Sequence, residues 1–328
     1  MGLAACGSSD PEEESPSCDY TETGDTGNST TAETTGIMMV GSDGNDGIRE
    51  LCGAVNGGHF DTALHTIDVD KYRITTDGMA DVIVRIFGLE GTDALGATGL
   101  EVTIFDTQAN PTLLFAGTHD ASIADHATFL AHLPAGEYDV VVTAKGSGDI
   151  EGTGTIPYKI RFTPDDPTRC PAITDPADYT EADDANNGVV SVAFGTDPQF
   201  QATAGTAEDT GLTFDHDKKR ISGSSAAGTP VDDYIDRDTY ALTTGDKTDE
   251  LFLRLDWADA GTDLDFLVFE ADTMTYVGGG LLPNPIEEYT PVAVKPKTAY
   301  WVWVGAHAGS TMLPEPYDLA VCGVRLKP

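Results

Sequence analysis

Short segments in which apolar and polar residues alternate recur along most of the chain. In the segments 138–142 and 300–304, Tyr and Val occupy every second position, which places them on one face of a β-strand. Turns rich in Gly, Asp, Asn and Pro separate such segments, and no helical stripe of ten or more residues interrupts them. The pattern predicts an all-β chain whose Tyr and Val side chains point into a core.

Five of these segments occur twice in the same order. The pairs are 68–76 with 236–244, 82–86 with 251–255, 102–106 with 266–270, 138–142 with 300–304, and 158–162 with 317–321. Recurrence in one order indicates a duplicated domain. With about eight short strands in each copy, we predict two tandem antiparallel β-sandwich domains of jelly-roll type.

The composition changes along the chain and predicts the domain boundaries. Residues 6–47 are almost all Ser, Thr, Gly, Asp and Glu, with the apolar patch 37–40 as the main break, so they are predicted to form a disordered acidic tether. Pro and acidic residues between the copies indicate a linker. The predicted order is a signal remnant at 1–5, the tether at 6–47, module one at 48–166, the linker at 167–187 and module two at 188–328.

The net charge excludes one class of partner. The chain has 18 basic and 55 acidic residues among 328, a net charge of −37. Nucleic-acid binding depends on Lys and Arg that displace counterions from phosphates, so no nucleic-acid partner is expected. The same charge favours solubility, attracts divalent cations and suits a salty medium.

The N-terminus has the form of a bacterial lipoprotein signal. Leu3-Ala4-Ala5-Cys6 matches the short motif in which small residues precede a Cys that is acylated and anchored to the membrane. Only Met1 and Gly2 precede it, so we expect the remainder of the signal upstream of this sequence. Myristoylation of Gly2 with palmitoylation of Cys6 is the alternative, but that signal requires Ser or Thr where Cys6 stands.

The number of cysteines agrees with an exported protein. If Cys6 is lipidated, four cysteines remain, which allow three pairings. Cys170 and Cys322 bracket the second module, so we predict that they pair with each other, leaving Cys18 with Cys52. Four reduced thiols in a cytoplasmic chain are the alternative.

The second module resembles the bacterial pre-peptidase C-terminal domain, a β-sandwich appended to secreted proteases and surface proteins. The likeness is carried by the segments 181–187, 221–223, 236–240, 245–246 and 263–269. Module one matches more loosely, through 68–72, 102–106 and 133–138. The resemblance implies an accessory or binding module on the cell surface or outside the cell, with no catalytic residue to carry over.

The resemblance also implies a calcium site. Some members of this family bind calcium through acidic residues in the linker and near the Asp-x-Asp-x-Tyr strand, and calcium takes six to eight oxygen ligands. The candidate ligands are Glu181, Asp183, Asp184, Asp232, Asp233 and Asp236. The alternative is that these are solvated acids of turns and linker in an acidic chain.

Two tryptophans are candidates for a binding platform. Trp301 and Trp303 alternate with the predicted core residues of their strand, so they are expected on its opposite, exposed face. Exposed aromatic rings bind sugar rings and partner proteins. The alternative is that they pack against a loop, the linker or module one.

No pattern of catalytic residues is present. His119, His126 and His132 fit no metal-ligand spacing and are predicted to lie in a loop between strands. The chain contains no nucleophile elbow, zinc-protease helix motif, phosphate-binding loop or dinucleotide fingerprint. We therefore expect no enzymatic activity.

Three functions fit these observations. The first is a lipid-anchored protein of the cell surface, an outer-membrane lipoprotein or an extracellular protein, that presents two modules to a polysaccharide, matrix or protein partner. The second is a structural subunit of a surface layer or appendage, in which the modules bind copies of themselves. The third is an accessory subunit of a secreted hydrolase.

Overall fold

The computed structural model describes most of both modules. The described residues are 18–22, 31–39, 48–56, 66–77, 80–87, 97–119, 126–146, 155–165, 170, 175–182, 192–193, 201–202, 206–230, 234–280 and 287–326. All regular structure in these ranges is β-strand, as the alternating pattern predicts. Among them there is no helix long and apolar enough to cross a membrane.

The described residues of module one form ten strands. In chain order, β1 to β10 are Tyr20–Thr21, Glu33–Met39, Arg49–Asn56, Thr66–Thr76, Ala80–Phe87, Ala97–Asp106, Leu113–His119, His126–Leu133, Gly136–Gly146 and Thr155–Pro164. They make two five-stranded sheets, ordered β1-β3-β10-β5-β8 and β2-β4-β9-β6-β7. We call the first the interface sheet, because it faces module two, and the second the outer sheet.

Twelve strands are described in module two. In chain order, β11 to β22 are Tyr179–Thr180, Val192–Ala193, Gln201–Ala202, Glu208–Phe214, Lys218–Ser225, Tyr234–Thr244, Glu250–Trp257, Leu264–Glu270, Thr275–Gly280, Glu287–Ala293, Ala299–His307 and Glu315–Val324. The interface sheet is ordered β11-β15-β22-β17-β20, and the outer sheet β12-β13-β19-β18-β21-β16-β14. Without β12 and β13, both strand orders repeat those of module one.

The predicted β-sandwich pair is confirmed, with two corrections. Each sheet contains one parallel strand pair, namely β1 with β3, β2 with β4, β11 with β15 and β14 with β16. The sheets are therefore mixed, although their other described pairs are antiparallel. Each module also has more strands than the predicted eight: β1 and β2 precede the predicted start of module one, whereas in module two only β11 does and the other eleven lie within 188–328.

The prediction of a tether over 6–47 is wrong for the part that the structure describes. β1 and β2 both lie in that range, and the side chains of Ile37 and Met39 are buried in the core of module one. Cys6 lies outside the described residues. The segment folds because a long-range sheet supplies its partners, which its polar composition does not reveal.

A sequence signal for these N-terminal strands exists and was missed. Asp-Tyr-Thr-Glu occurs at 19–22 and again at 178–181, and Thr-Ala-Glu-x-Thr-Gly occurs at 31–36 and again at 206–211. Gly36 and Gly211 both have a positive φ, 71° and 64°, which favours glycine. The same repeat corrects the linker prediction, because β11 lies within 167–187 and belongs to module two.

Each module has its own core between its two sheets. The predicted inward residues of the two late strands are all buried: Tyr138, Val140, Val142, Tyr300, Val302 and Val304. Burying large apolar side chains from both sheets is the main stabilising term of a sandwich. The period-two pattern therefore predicts the faces correctly.

Both predicted disulfides are present. Cys18 pairs with Cys52 inside module one, with their Cα atoms 6.0 Å apart. Cys170 pairs with Cys322 of β22, with their Cα atoms 5.7 Å apart. The second bond fixes the described linker residue Cys170 to the interface sheet of module two.

The two modules pack through equivalent strands. Ile83 of β5 and Phe252 of β17 occupy the same position in the two copies, and both belong to one buried apolar cluster between the interface sheets. The remaining members of the cluster are Leu130, Cys170, Ala320, Cys322 and Val324. Contrary to the loop prediction, His126 and His132 lie on β8, which also contacts β20 at this interface.

Candidate functional site

The outer face of module two's outer sheet carries a second apolar cluster, separate from the core. Its buried members are Tyr234, Leu267, Phe269 and Trp303, and its partly buried members are Met274, Tyr276 and Trp301. Strand register explains the grouping, because Trp301 lies opposite Phe269 and Trp303 opposite Leu267. Opposed side chains on one face of a sheet pack directly against each other.

The two predicted platform tryptophans differ in exposure. Both lie on the face opposite the core, as predicted, but Trp303 is 0% exposed whereas Trp301 is half-buried. The Tyr234 ring packs edge-on against Trp303, with centroids 4.7 Å apart. A Cβ added to Gly305 would lie 2.2 Å from the Trp303 ring, so the indole also lies closely over this glycine. The prediction of two exposed indoles is therefore wrong for Trp303.

Acidic and polar groups border the aromatic cluster. Tyr234 donates a hydrogen bond from its hydroxyl to Asp265 at 2.6 Å, and its ring stands 5.8 Å from that of His307. Burial, together with the nearby Asp263, raises the pKa of Asp265 to about 6. His307 lies 3.9 Å from Asp263. Of these groups Tyr234 and Asp265 are buried, whereas the side chains of His307 and Asp263 are 43% and 14% exposed.

The equivalent positions of module one carry no tryptophan. Asp139 occupies the position of Trp301, and its carboxylate contacts Lys71 at 2.9 Å and Arg73 at 2.8 Å. Val141 occupies the position of Trp303. The two tryptophans are thus specific to module two, although the two sheets share their topology.

A buried cluster of carboxylates and tyrosines lies at the start of β16. The Tyr317 hydroxyl donates to Asp238 at 2.7 Å and is 2.6 Å from the Tyr240 hydroxyl. Burial, and then the charges of Asp236 and Glu181, raise the pKa of Asp238 to about 9. Gly223 leaves room for this cluster, because a Cβ there would lie 2.4 Å from the Tyr240 hydroxyl.

The neighbouring carboxylates of the cluster accept backbone hydrogen bonds. Glu181 accepts from the amide of Ser224 at 2.9 Å, and Asp236 accepts from the amide of Ala226. The Oδ1 atom of Asp238 is buried and has no hydrogen-bond partner. An unsatisfied buried carboxylate oxygen is costly, and a cation or a proton relieves that cost.

The structure brings together only part of the predicted calcium set. Glu181 and Asp236 meet in the cluster, joined by Asp238, which the prediction omitted although it is the second acid of the Asp-x-Asp-x-Tyr strand. Asp183, Asp184, Asp232 and Asp233 lie outside the described residues. The described part of the chain has no group of three or more acidic, His or Cys side chains arranged to hold a metal ion.

Module one repeats the tyrosine part of this cluster. The Tyr158 hydroxyl donates a hydrogen bond to Asp70 at 2.8 Å and lies 2.6 Å from the Tyr72 hydroxyl. The Glu22 carboxylate accepts a hydrogen bond from the amide of Ala54 at 3.1 Å. Glu22 falls within the segment predicted to be a tether. The duplicated Asp-Tyr-Thr-Glu motif is the signal that identifies it.

Comparisons with known proteins give structural likeness only. No family model matches the chain, and no curated protein matches it. The pre-peptidase C-terminal domain of a Bacillus anthracis collagenase aligns at 12% identity over 42% of this chain and 100% of that domain, with a TM-score of 0.27. A periplasmic inhibitor of g-type lysozyme from Aeromonas hydrophila aligns at 16% identity over 36% of this chain and 98% of that one, with a TM-score of 0.22.

Tandem modules also appear among the aligned structures. The CUB1-EGF-CUB2 region of human MASP-1/3 aligns at 11% identity over 83% of this chain and 99% of that one, with a TM-score of 0.19. The tandem CBM51 modules of a Streptococcus pneumoniae family 98 glycoside hydrolase align at 10% identity over 78% of this chain and 81% of theirs, with a TM-score of 0.21. Similarity at this level transfers no functional residue to this chain.

Proposed function

We propose that this chain is an extracellular binding protein and that the outer face of module two contacts its partner. The observation that carries the proposal is the aromatic cluster outside the core, with the half-buried Trp301 among its members. Aromatic side chains on a rigid sheet provide a large contact area at low entropic cost and are enriched in binding patches. Module one has the charged Asp139 at the same position.

A polysaccharide is the partner class that suits this face best. Sugar rings present C–H faces that pack on an indole, and hydroxyls that hydrogen-bond to carboxylates. Trp301 supplies the first kind of group, and the partly buried Asp263, which immediately precedes β18, supplies the second. A protein partner with exposed apolar side chains is the alternative occupant of the same surface.

The proposed location is the cell surface, with Cys6 as the lipid anchor. Two disulfides favour an oxidising compartment outside the cytoplasm. The anchor rests on the Leu3-Ala4-Ala5-Cys6 motif alone. Incorporation of a fatty-acid analogue by a chain expressed with a complete signal peptide tests it, and equal incorporation by Cys6→Ser would contradict it.

The binding proposal is tested on a glycan array with the purified protein. We expect wild type to bind at least one polysaccharide, and Trp301→Ala to weaken that binding at least about tenfold, as for an aromatic hot spot. Met38→Ala is the matched control, because Met38 is 50% exposed and lies on the outer sheet of module one. Equal binding by Trp301→Ala and wild type would place the partner elsewhere.

The carboxylate cluster of module two supports a second proposal, a structural calcium ion. The supporting observation is the buried Oδ1 of Asp238, which lacks a partner beside Asp236 and Glu181. Calcium prefers carboxylate oxygens, and its charge would stabilise the ionised form of Asp238. In this role the ion holds β11, β15 and β16 together and takes no part in chemistry.

A further inference from the structure

One Asp–Pro peptide bond lies exposed beside the interface sheet of module two. The chain contains four such bonds, at 10–11, 166–167, 175–176 and 197–198. Asp175 and Pro176 are both exposed, and the other three bonds lie outside the described residues. An Asp–Pro bond is chemically labile, because the side-chain carboxyl can attack its own carbonyl carbon and the proline nitrogen of a tertiary amide is a good leaving group.

An arginine contacts the carbonyl group of this bond. The Nη1 atom of Arg220, on β15, donates a hydrogen bond to the carbonyl oxygen of Asp175 at 2.7 Å. The Nε and Nη2 atoms of the same guanidinium donate to the two carboxylate oxygens of Asp318 at 2.8 and 2.7 Å, which fixes its direction. A charged donor aimed at a carbonyl oxygen stabilises the negative charge that develops there during acyl transfer.

The backbone is anchored on both sides of the bond. On the C-terminal side, the amide of Asp178 donates to the carbonyl of Arg220, and the amide of Arg220 donates to the Asp178 carboxylate, both at 2.9 Å. β11 follows directly and pairs with β15. On the N-terminal side, Cys170 is bonded to Cys322 of β22. The fold therefore holds the Asp–Pro bond beside the guanidinium.

Module one has no equivalent of this arrangement. The duplicated motif at 19–22 and 178–181 aligns Pro16-Ser17 with Asp175-Pro176. The strand registers align Glu50 with Arg220, since Tyr20 pairs with Leu51 as Tyr179 pairs with Ile221. An ionised carboxylate cannot donate a hydrogen bond to a carbonyl oxygen. The β-sandwich thus forms without this bond and without its arginine.

We propose that the Asp175–Pro176 bond is a self-cleavage site of the folded protein. The protonated side-chain carboxyl of Asp175 attacks the carbonyl carbon of the same residue, and the carbonyl oxygen takes up negative charge beside Arg220. The bond from this carbon to the nitrogen of Pro176 then breaks, and the carboxyl proton passes to that nitrogen. Water opens the cyclic anhydride that remains, which leaves Asp175 as a new C-terminus and Pro176 as a new N-terminus.

Cleavage at this position leaves the two modules joined. The N-terminal piece keeps Cys170 and the C-terminal piece keeps Cys322, so the disulfide still links them. The buried apolar cluster between the interface sheets, which includes Ile83 and Phe252, is also unaffected. The product is therefore a two-chain protein whose chains are joined covalently by this disulfide alone.

Mass spectrometry of the purified full chain, held at about pH 5, where an ordinary Asp carboxyl is partly protonated, tests the proposal. The new termini at all four Asp–Pro bonds are counted over time. In the folded protein we expect cleavage at 175–176 at least about tenfold faster than at the other three bonds. In guanidinium chloride the four rates should become equal, because the contact with Arg220 is lost. The cleaved protein should run on a denaturing gel as one species without reductant and as two with it.

Two variants separate the roles of the groups. Arg220→Gln should slow cleavage at 175–176 at least about tenfold and leave the other three bonds unchanged. Asp175→Ala keeps the carbonyl and its hydrogen bond but removes the attacking carboxyl, so it should abolish cleavage there. Arg254→Gln is the matched control and should behave like wild type, because Arg254 lies in the same sheet and its side chain is 18% exposed against 20% for Arg220.

Three results overturn the proposal. The first is a folded wild type that is not cleaved at 175–176. The second is a folded wild type in which the four Asp–Pro bonds break at one rate, since cleavage then reflects the dipeptide alone. The third is an Arg220→Gln variant that is cleaved at 175–176 as fast as wild type.

Discussion

Arg85 of module one and Glu250 of module two form a buried bidentate ion pair across the module interface. The Nε and Nη2 atoms of Arg85 donate to the two carboxylate oxygens of Glu250 at 2.6 and 2.8 Å, and both side chains are at most 3% exposed. The Thr128 hydroxyl donates to the same carboxylate, and His126 lies 3.3 Å from it. The pair therefore fixes how one module sits on the other.

The duplicate of this arginine has no such role. Arg254 occupies the position of Arg85 in the repeat, but it donates to Asp256 of its own strand at 2.9 Å. Both Arg254 and Asp256 are partly exposed. The duplicated modules thus use equivalent strands at their interface but only one of the two arginines.

We predict that Glu250→Gln destabilises the protein by about 3–5 kcal/mol, because it leaves the Arg85 charge buried without its counter-charge. Urea unfolding followed by tryptophan fluorescence measures the change. Asp256→Asn is the matched control and should cost less than about 1 kcal/mol, since it breaks a partly exposed pair. Equal losses in the two variants would contradict a special role for the interface pair.

The same pair predicts an acid-sensitive stability. Burial acts to raise the pKa of Glu250, but the hydrogen bonds from Arg85 and His126 outweigh it and lower this pKa from 4.5 to about 2. A carboxylate whose pKa is lower in the folded state than in the unfolded chain stabilises the fold at any pH above the unfolded pKa of 4.5. This stabilisation is lost as the pH falls from 4.5 to about 2. The shift corresponds to about 3 kcal/mol.

Unfolding free energies measured across that window test this prediction. Wild type should lose stability more steeply than Glu250→Gln as the pH falls. The difference between the two proteins should approach zero near the bottom of the window. Parallel pH curves for the two proteins would show that other carboxylates dominate acid unfolding.

For the proposed calcium ion, we predict that calcium raises the melting temperature of wild type and that magnesium at equal ionic strength does so less, because magnesium requires a tighter octahedral shell. Asp238→Asn and Asp236→Asn should each abolish the calcium effect. The control is Asp70→Asn, the module-one equivalent of Asp238→Asn. Equal shifts with both ions would leave only diffuse screening of the −37 charge.

The calcium effect should also grow with pH. The pKa of Asp238 is raised to about 9, so without an ion its proton stabilises the fold at low pH, and this contribution is lost as pH rises from 3.8 toward 9. Calcium must displace that proton, which becomes easier at higher pH. Without calcium at neutral pH, Asp238→Asn should raise the melting temperature, because the amide is neutral in the folded and unfolded states alike, whereas Asp238 must take up a proton on folding.

The two disulfides should contribute unequally. Cys170 and Cys322 are 152 residues apart, whereas Cys18 and Cys52 are 34 apart. In the chain-entropy account, replacing the first pair by Ser costs about 4–5 kcal/mol, and replacing the second costs about 3–4 kcal/mol. Chemical unfolding of the two double variants compares them. A larger loss from the Cys18–Cys52 pair would contradict the loop-length argument.

Local pattern was sufficient for the strands and their faces. Tyr138, Val140 and Val142 alternate because one side of a strand faces the core, and this period is readable in any single segment. The cysteine count and the position of Cys170 and Cys322 around one module likewise predicted the disulfides. These features depend on neighbours in the sequence or on simple counting.

Contacts between distant strands decided the rest, and no local pattern encodes them. The polar β2 folds because β4 offers a parallel partner, so Ile37 and Met39 become core residues although composition alone indicated a tether. Trp303 is buried because Tyr234 packs over it from a different strand. Arg85 and Glu250, 165 residues apart, meet only because the two modules pack on equivalent sheets. Alternation tells which side of a strand is apolar, but what covers that side is decided when the sheets pack.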